Sequence, residues 1–564
     1  MKRDFIRIAS PSKLLLISAA IGLVVGLIAV GFRSLIVWCN GLFFPQPPEQ
    51  LALLGAWWKY LVFLIPAGGG LIVGLLLRLL INDKHRSSGV TEVIEAVFLK
   101  SGRLNLGMGF KGLLSVITIG SGGSAGPEGP IVEIGSSFSS FIGQRLRLPG
   151  SEMRLLAACG AAAGISAVFG APLGGIFFVL EIILGEFAIS TFAPVVLSSV
   201  IAAIMAKSLL GSQPAFQTTV GSIGSLYDVV PFALLGVLSG LVSVLFLNAL
   251  QHSGALFSRW RIAEWMKPAV GGLLVGVLGL VFPRVLGEGY HAVTAVMAGQ
   301  VIWWAAILLM LAKILATSIT LGSGSPGGSF APAVFIGAML GSAVCQLMAL
   351  VLPSVFTYRA SYALAGAAGL VAGALNAPIT AALIVFEISG SYAVILPVLL
   401  VVALSALLTY RIRGASVYTL ALADSGLTPG RIRKYGHLSA KLCSEVMRQD
   451  IKTVSPTTNI RTILAIMNES DQSILPIVES DEKVRGVISW STVKYYLGQE
   501  MQDNLVIAHD IMMPCPVVEA DDPVTKPMMI LLDETIEAIP VVRDGKVLGI
   551  IGRRELLRQG LQDG

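Results

Sequence analysis

From about residue 13 to residue 410 the chain consists of apolar runs that are separated by short polar loops. A helix needs about 20 apolar residues to cross a hydrocarbon core of about 30 Å. Some runs reach that length, whereas others are shorter or interrupted by glycine, which predicts tilted and half-length helices. The pattern therefore predicts a polytopic helical membrane domain. The near-continuous runs are 14–42, 62–81, 196–210, 229–250, 268–282, 302–320, 333–352 and 391–410.

Two glycine-serine turns interrupt this apolar pattern, and each one is followed by a new apolar helix. The first, GSGGSAGPEGPIVEIG, begins at Gly120, and the second, GSGSPGGSFAPAVFIG, begins at Gly322. Broken helices at membrane depth are tolerated only around a binding site or a watery path. A helix N-terminus presents unpaired N–H groups and the positive end of a dipole, which suits an anion. The two breaks therefore predict a transport path for a small anion.

A second pair of segments indicates that the membrane domain is duplicated. GAAAGISAVFGAPLGGIFFVLEI, from Gly160, aligns with GAAGLVAGALNAPITAALIVFEI, from Gly366. The offset is 206 residues here and 202 residues at the glycine breaks. Both copies end in a glutamate, Glu181 and Glu387, and this symmetry favours a structural role for the pair. We expect two repeats, about 13–210 and 225–425.

The tail has a different organisation, because its charge density rises after about Arg431 to that of a soluble domain. A segment that starts at Val446 recurs from Ile511. Each copy has a Pro-led turn, a helix and two short strands. The sequence thus predicts a membrane domain over 1–425 and a paired α/β module over 426–564, with copies at about 440–500 and 506–564.

Composition agrees with this organisation and argues against nucleic-acid binding and enzyme activity. The 564 residues are 54% hydrophobic and 13% charged, and the net charge of +6 fits basic loops better than nucleic-acid binding. Basic residues before the first run predict a cytoplasmic N-terminus. We expect a multi-pass protein of the cell membrane with both termini in the cytoplasm. Since no metal cluster or catalytic constellation is visible, neither a cofactor nor an enzyme is expected.

Glu128 is the candidate functional residue within the first break. A carboxylate is costly inside lipid, so an intramembrane glutamate suggests function by default. When it is charged, this side chain would occupy the place of an anion at the helix N-terminus. When it is protonated, it would move away and let the ion pass. The sequence predicts that Glu128 is a gate.

At these residues the chain resembles the ClC family of chloride channels and chloride/proton exchangers, over about residues 13–425. The glutamate motif of the family, G-(K/R)-E-G-P, corresponds to residues 126–130, and G-x-F-x-P corresponds to residues 328–332. A third motif, G-S-G-x-P, matches residues 87–91 more weakly, and the inner tyrosine of the ion site matches Tyr418. The tail resembles the paired CBS domains that many members carry.

The resemblance implies a site in which hydroxyl and backbone N–H groups hold chloride. Glu128 would be the outer gate, and Lys111 would lend positive potential. The two repeats would be inverted in the membrane, each subunit would enclose its own pathway, and two subunits would pair as a homodimer. The implied anion ligands are Ser88, Ser329, Phe330 and Tyr418. The supporting motif positions are Gly126, Gly129, Pro130 and Gly328.

The departures from the family pattern bear on mechanism. Pro127 replaces the usual basic residue, and Thr91 replaces a proline. Ile182 occupies the position of the inner proton-transfer glutamate of the exchangers, and an isoleucine cannot relay a proton. This substitution favours a passive, glutamate-gated chloride channel. Proton-coupled exchange stays open as the alternative, because a proton route that avoids this residue would also serve an exchanger.

The tail leaves a third function open, a membrane-anchored nucleotide sensor. Nucleotide-binding CBS modules often carry Ser or Thr and then Asp after the last strand. Here the first copy has Ser489 and Thr492, and the second has Gly552 and Glu555. Adenine-nucleotide binding is therefore weakly supported, and a purely structural tail that stabilises a dimer is favoured.

Overall fold

The computed structural model describes residues 11–44, 63–80, 89–211, 229–351, 359–422, 441–470, 472–479, 483–497, 506–531 and 536–556. Within these ranges, eight helices are long and apolar enough to cross a membrane. The described helices of the first repeat are α1 Pro11–Phe43, α2 Leu64–Leu80, α3 Val90–Leu99, α4 Leu106–Gly120, α5 Glu128–Arg145, α6 Gly150–Phe169, α7 Pro172–Phe178 with a π-helical continuation Val179–Leu184, and α8 Ile189–Leu210. Those of the second repeat are α9 Val229–Arg259, α10 Lys267–Val281, α11 Tyr290–Met297, α12 Trp303–Gly322, α13 Phe330–Met348, α14 Arg359–Leu375, α15 Pro378–Ser389, α16 Ile395–Arg413 and α17 Val417–Ala421.

The two glycine-serine segments are helix breaks, as predicted. The first separates α4 from α5, and the second separates α12 from α13. Gly122 and Gly324 hold the corresponding place in each turn, with φ of 93° and 89°. Residues with a Cβ rarely adopt such a backbone, so glycine is needed at both positions. The duplication therefore extends to backbone conformation.

The two breaks also pair with each other. The Gly126 N–H donates to the Gly328 carbonyl at 2.8 Å, and the Gly328 N–H donates back to the Gly126 carbonyl at 2.8 Å. This antiparallel bridge joins the halves of the domain and satisfies four backbone groups that would otherwise lack partners at membrane depth. It also brings the N-termini of α5 and α13 together.

Small residues set the spacing of the helices behind each break. A Cβ at Gly135 would lie 2.3 Å from the Gly160 carbonyl, and one at Gly337 would lie 2.2 Å from the Gly366 carbonyl. Helices that touch through glycine can approach until their backbones meet. The pairs α5–α6 and α13–α14 therefore form the same close contact in each repeat.

Glu181 and Glu387 cap helices of the opposite repeat. The Glu181 carboxylate accepts from the Thr380 N–H at 2.9 Å and from the Thr380 hydroxyl at 2.7 Å. The Glu387 carboxylate accepts from the Leu173 and Gly174 N–H groups at 3.0 and 2.8 Å. An acceptor at a helix N-terminus satisfies free donors. The structural role predicted for this pair is confirmed.

The tail consists of two small α/β units. One has an antiparallel pair of strands, and the other has a strand that runs parallel to a central strand with a third strand antiparallel to it. The described elements are α18 Cys443–Val446, α19 Ile460–Ser470, β1 Ile474–Val478, β2 Val484–Ser489, α20 Trp490–Leu497, α21 Ala508–Ile511, β3 Val518–Glu519, α22 Thr525–Ile530, β4 Ala538–Arg543 and β5 Lys546–Gly552.

The second unit of the tail contacts the end of α3. The Thr525 hydroxyl donates to the Phe98 carbonyl, and the Ser101 hydroxyl donates to the Asp521 carbonyl at 3.1 Å. The C-terminal end of α3 therefore lies on the tail side of the membrane domain. At its other end, α3 begins after Gly89, which packs against Gly129 of the first break.

Candidate anion pathway

The Glu128 side chain lies in the centre of the domain, where the two breaks meet. It is fully buried, and its Oε1 accepts a hydrogen bond from the Phe330 N–H at the first turn of α13. The Ala331 N–H also faces this carboxylate. A helix N-terminus attracts negative charge. The glutamate of the first repeat thus occupies the anion-binding end of a helix in the second repeat.

Two motif glycines make room for this carboxylate. A Cβ at Gly126 would lie 2.1 Å from Glu128 Oε2, and a Cβ at Gly328 would lie 1.9 Å from Oε1. Gly129 and Pro130 complete the first turn of α5, and Gly89 packs against Gly129 so closely that a Cβ there would lie 3.1 Å from its Cα. These positions are constrained because the carboxylate and three backbone segments share a small volume.

Three buried polar atoms beside this helix end lack a hydrogen-bond partner among the described residues. They are Glu128 Oε2, the Ser329 hydroxyl and the Tyr418 hydroxyl. The Tyr418 hydroxyl faces that of Ser329, and its ring packs edge-on against Phe178 with 6.3 Å between ring centres. Buried polar atoms normally have partners. Two hydroxyl groups without partners, beside the N-terminus of α13, form a site that an anion would satisfy.

Tyr418 is held in place by a short helix with a well-formed start. The Ser416 hydroxyl accepts from the Thr419 N–H at 3.3 Å, and the Thr419 hydroxyl accepts from the Ser416 N–H at 2.7 Å. This reciprocal capping fixes α17 although it has only five residues. Ser88, the remaining predicted anion ligand, lies outside the described residues.

Lys111 is not a free charge near the gate. Its ammonium lies 3.6 Å from the Glu92 carboxylate of α3, and both side chains are largely buried. An ion pair of this kind cancels most of the potential that a lone lysine would project. The expectation that Lys111 makes the gate more positive is therefore weakened by its pairing.

Two charged residues of this region were missed in the sequence. Glu133 is almost fully buried in α5, and its Oε2 accepts from the Gly89 N–H at 3.0 Å. Lys313 is fully buried in α12 and donates to the Val285 and Gly287 carbonyls at 2.8 and 2.6 Å. Both could have been found: Glu133 is a second acid in the first motif, and Lys313 precedes Phe330 by the spacing that separates Lys111 from Glu128.

Ile182 lies in the π-helical continuation of α7, Val179–Leu184, which packs against α3. Its half-buried side chain carries no group that binds a proton. The structure therefore leaves position 182 without the chemistry of an inner proton-transfer residue.

The membrane domain is duplicated and helical, and its two broken helices meet beside hydroxyl groups that have no hydrogen-bond partner among the described residues. These features define a membrane transport protein. A family model described as "Voltage gated chloride channel" matches residues 69–410, and one described as "CBS domain" matches residues 443–498 and 508–561. The chain belongs to this ClC family, which transports chloride, and it carries a pair of CBS domains.

The chain resembles relatives that are named as chloride channels and relatives that are named as chloride/proton exchangers. A putative chloride channel protein ClcB-like of Ralstonia nicotianae is 34% identical over 372 residues, which are 65% of this chain and 86% of that protein. The H(+)/Cl(-) exchange transporter ClcA of Citrobacter koseri is 29% identical over 436 residues, 75% and 91% of the two chains. The solved structure of a slow cyanobacterial Cl-/H+ antiporter is 25% identical with a TM-score of 0.68, covering 74% of this chain and 98% of that one.

Proposed function

We propose that this protein exchanges chloride for protons, with Glu128 serving both ions in turn. The observation that carries the proposal is the position of the Glu128 carboxylate at the Phe330 N–H. The charged carboxylate and a chloride ion would compete for that helix end, so both cannot occupy it together. Protonation removes the charge of Glu128 and frees the donor for chloride. Chloride passage and proton binding are thereby linked at one residue.

Glu128 is fully buried at the narrow point where the two halves of the domain meet. A charged carboxylate at that point would close the path in an exchanger and in a glutamate-gated channel alike, so its position fits both functions. The names of two similar proteins, an exchange transporter and an antiporter, favour exchange, whereas another relative is named as a channel. The passive channel remains the alternative because Ile182 offers no inner proton transfer.

Flux measurements in liposomes separate these functions. Purified protein is reconstituted in vesicles with high internal chloride and diluted into low chloride, and valinomycin with equal potassium holds the membrane potential at zero. Exchange predicts that chloride efflux drives proton uptake and that the external pH rises. Chloride efflux without any pH change would establish the channel instead.

We expect Tyr418→Phe to weaken chloride binding about tenfold, because a hydrogen bond to a charged partner contributes about 1.5–3 kcal/mol. The lost hydroxyl is one of the two orphaned donors at the site. Calorimetric titration of the solubilised protein with chloride measures the change. The control is Tyr392→Phe, since Tyr392 is 76% exposed, and it should bind like the parent. Unchanged affinity in Tyr418→Phe would remove this tyrosine from the site.

The structure offers little support for a nucleotide sensor in the tail. The Ser489 hydroxyl contacts those of Ser491 and Thr492 at 2.7 and 2.9 Å, and it accepts from the Thr492 N–H at 3.2 Å. In the second copy the Glu555 carboxylate accepts from the Gly552 N–H at 2.9 Å. These groups already cap their own helices. Calorimetry of the full-length protein with ATP and AMP tests the alternative, and tight binding would revive it.

Pairing of two copies and a cytoplasmic location of both termini remain predictions. The first rests on the family resemblance, and the second rests on the basic residues that precede the first apolar run. Crosslinking in native membranes and protease protection of the tail would test them.

A further inference from the structure

Three charged side chains that the anion pathway does not use meet in the interior of the first repeat. Glu92 of α3, Lys111 of α4 and Glu133 of α5 come from three helices, and we name them the inner carboxylate cluster. Lys111 Nζ lies 3.6 Å from Glu92 Oε2, and the Glu92 and Glu133 side chains face each other. Glu133 is 1% exposed and Glu92 is 5% exposed. Two of their oxygens, Glu92 Oε2 and Glu133 Oε1, lack a hydrogen-bond partner within the described chain.

The cluster lies between the gate and the side that carries the tail. Glu133 follows Glu128 by five residues on α5, which is about 7.5 Å along the helix axis. Farther along α5, the Ser140 hydroxyl donates to the Gly102 carbonyl at 2.7 Å. The adjacent Ser101 contacts Asp521 of the tail. Glu133 therefore lies beyond Glu128 in the direction of the tail.

The cluster also borders the anion site. The Gly89 N–H donates to Glu133 Oε2 at 3.0 Å. Gly89 immediately follows Ser88, a predicted anion ligand, and packs against Gly129, which follows the gate. Glu133 is thus separated from Glu128 by roughly one and a half turns of helix, and the two side chains point about 140° apart around the axis of α5. Direct transfer between them is excluded by this separation, so a proton would have to pass through intervening water.

Charge balance favours one bound proton in the cluster. Two ionised carboxylates with one ammonium would leave an uncompensated negative charge in the interior, which is costly. One added proton, shared between the facing carboxyls, removes that charge, while Lys111 stabilises the carboxylate that stays ionised. The other charged groups near Glu92 are Glu95 and Lys100, which pair with each other at 3.0 Å.

We propose that the inner carboxylate cluster transfers protons between Glu128 and the tail side, the task that Ile182 cannot perform. The proposal rests on the exchange function argued above. In one step the carboxylic acid of Glu133 releases its proton, through water, to the Glu128 carboxylate. Glu133 becomes a carboxylate and regains a proton from the tail side by way of Glu92. Proton and charge are conserved, and no other reactant is needed.

The test is Glu133→Gln in the same liposome assay. Glutamine keeps the size of the side chain and can still accept from the Gly89 N–H, but it cannot carry the proton. Chloride-driven proton uptake should fall about 100-fold, the usual effect of removing a proton-transfer group, while chloride efflux continues. Glu133→Asp, which restores an acid at this position, should recover part of the proton flux. The matched control is Glu95→Gln on α3, which lies outside the cluster and should transport like the parent.

The outcomes distinguish this inference from the proposed function. If the unmodified protein moves chloride without protons, the exchange function fails. If the unmodified protein couples the two ions and Glu133→Gln couples them equally well, the inference is overturned. Should Glu133→Gln fail to fold, Glu92→Gln carries the same expectation, and undiminished proton uptake in that variant would overturn the inference as well.

Discussion

Replacing Glu128 with glutamine is expected to abolish proton transport and to leave a chloride flux that no longer depends on pH. The amide cannot carry a proton, and without a negative charge it cannot compete with chloride for the Phe330 N–H. In the unmodified protein the protonated form lets chloride pass, so chloride flux should fall as the pH rises. Where this protonation limits transport, the fall should be about tenfold per pH unit. Chloride efflux and external pH, recorded over a pH series in liposomes, measure both effects.

Other titratable groups face Glu128, so the pH series needs a matched comparison. The nearby groups are Glu288, Tyr290 and Tyr418. Glu288→Gln should keep most of the pH response if Glu128 is the gate. A Glu128→Gln protein that still moved protons with chloride, or kept the slope of the parent, would contradict the assignment.

The equivalence of Glu128 and Phe330 could be predicted from the sequence, and the structure adds that the two residues touch. The duplication aligns these two residues at an offset of 202, and the hydrogen bond joins residues that are 202 apart. Because the repeats pair at Gly126 and Gly328, equivalent positions must meet near the centre. The internal duplication thus indicates which residues of the two repeats are equivalent, and the hydrophobic periodicity of a single helix does not.

The surroundings of the gate could not be predicted in the same way. Lys111 pairs with Glu92, and Glu133 accepts from Gly89, across helices whose relative rotation no local pattern specifies. The reason for glycine at two of the motif positions could not be predicted either. At Gly126 and Gly328 an added Cβ would collide with the Glu128 carboxylate, which follows Gly126 by two residues and lies in the opposite repeat from Gly328.

That constraint predicts that Gly328→Ala opens the pathway at alkaline pH. The added Cβ would lie 1.9 Å from Glu128 Oε1 and 2.2 Å from its Cδ, so the carboxylate must leave the helix end. The colliding group is the end of a flexible side chain, so the backbone can stay in place. Overpacking of this kind costs about 1–3 kcal/mol, which corresponds to a loss of carboxylate occupancy of roughly fivefold to a hundredfold. Chloride efflux at alkaline pH should rise about tenfold, and proton uptake per chloride should fall.

A double-mutant cycle with Glu128→Ala shows whether the methyl group acts through the carboxylate. If it does, Gly328→Ala adds nothing once the carboxylate is gone, and the double variant transports chloride at the rate of Glu128→Ala. If the methyl group narrows the anion path itself, the double variant is slower. Gly254→Ala is the control for a glycine change in a membrane helix, because an added Cβ there meets nothing within 4 Å. Slower efflux in the double variant than in Glu128→Ala would show that Gly328 lines the chloride path directly. Equal efflux rates in these two variants would show that glycine is needed at position 328 only to leave room for the Glu128 carboxylate.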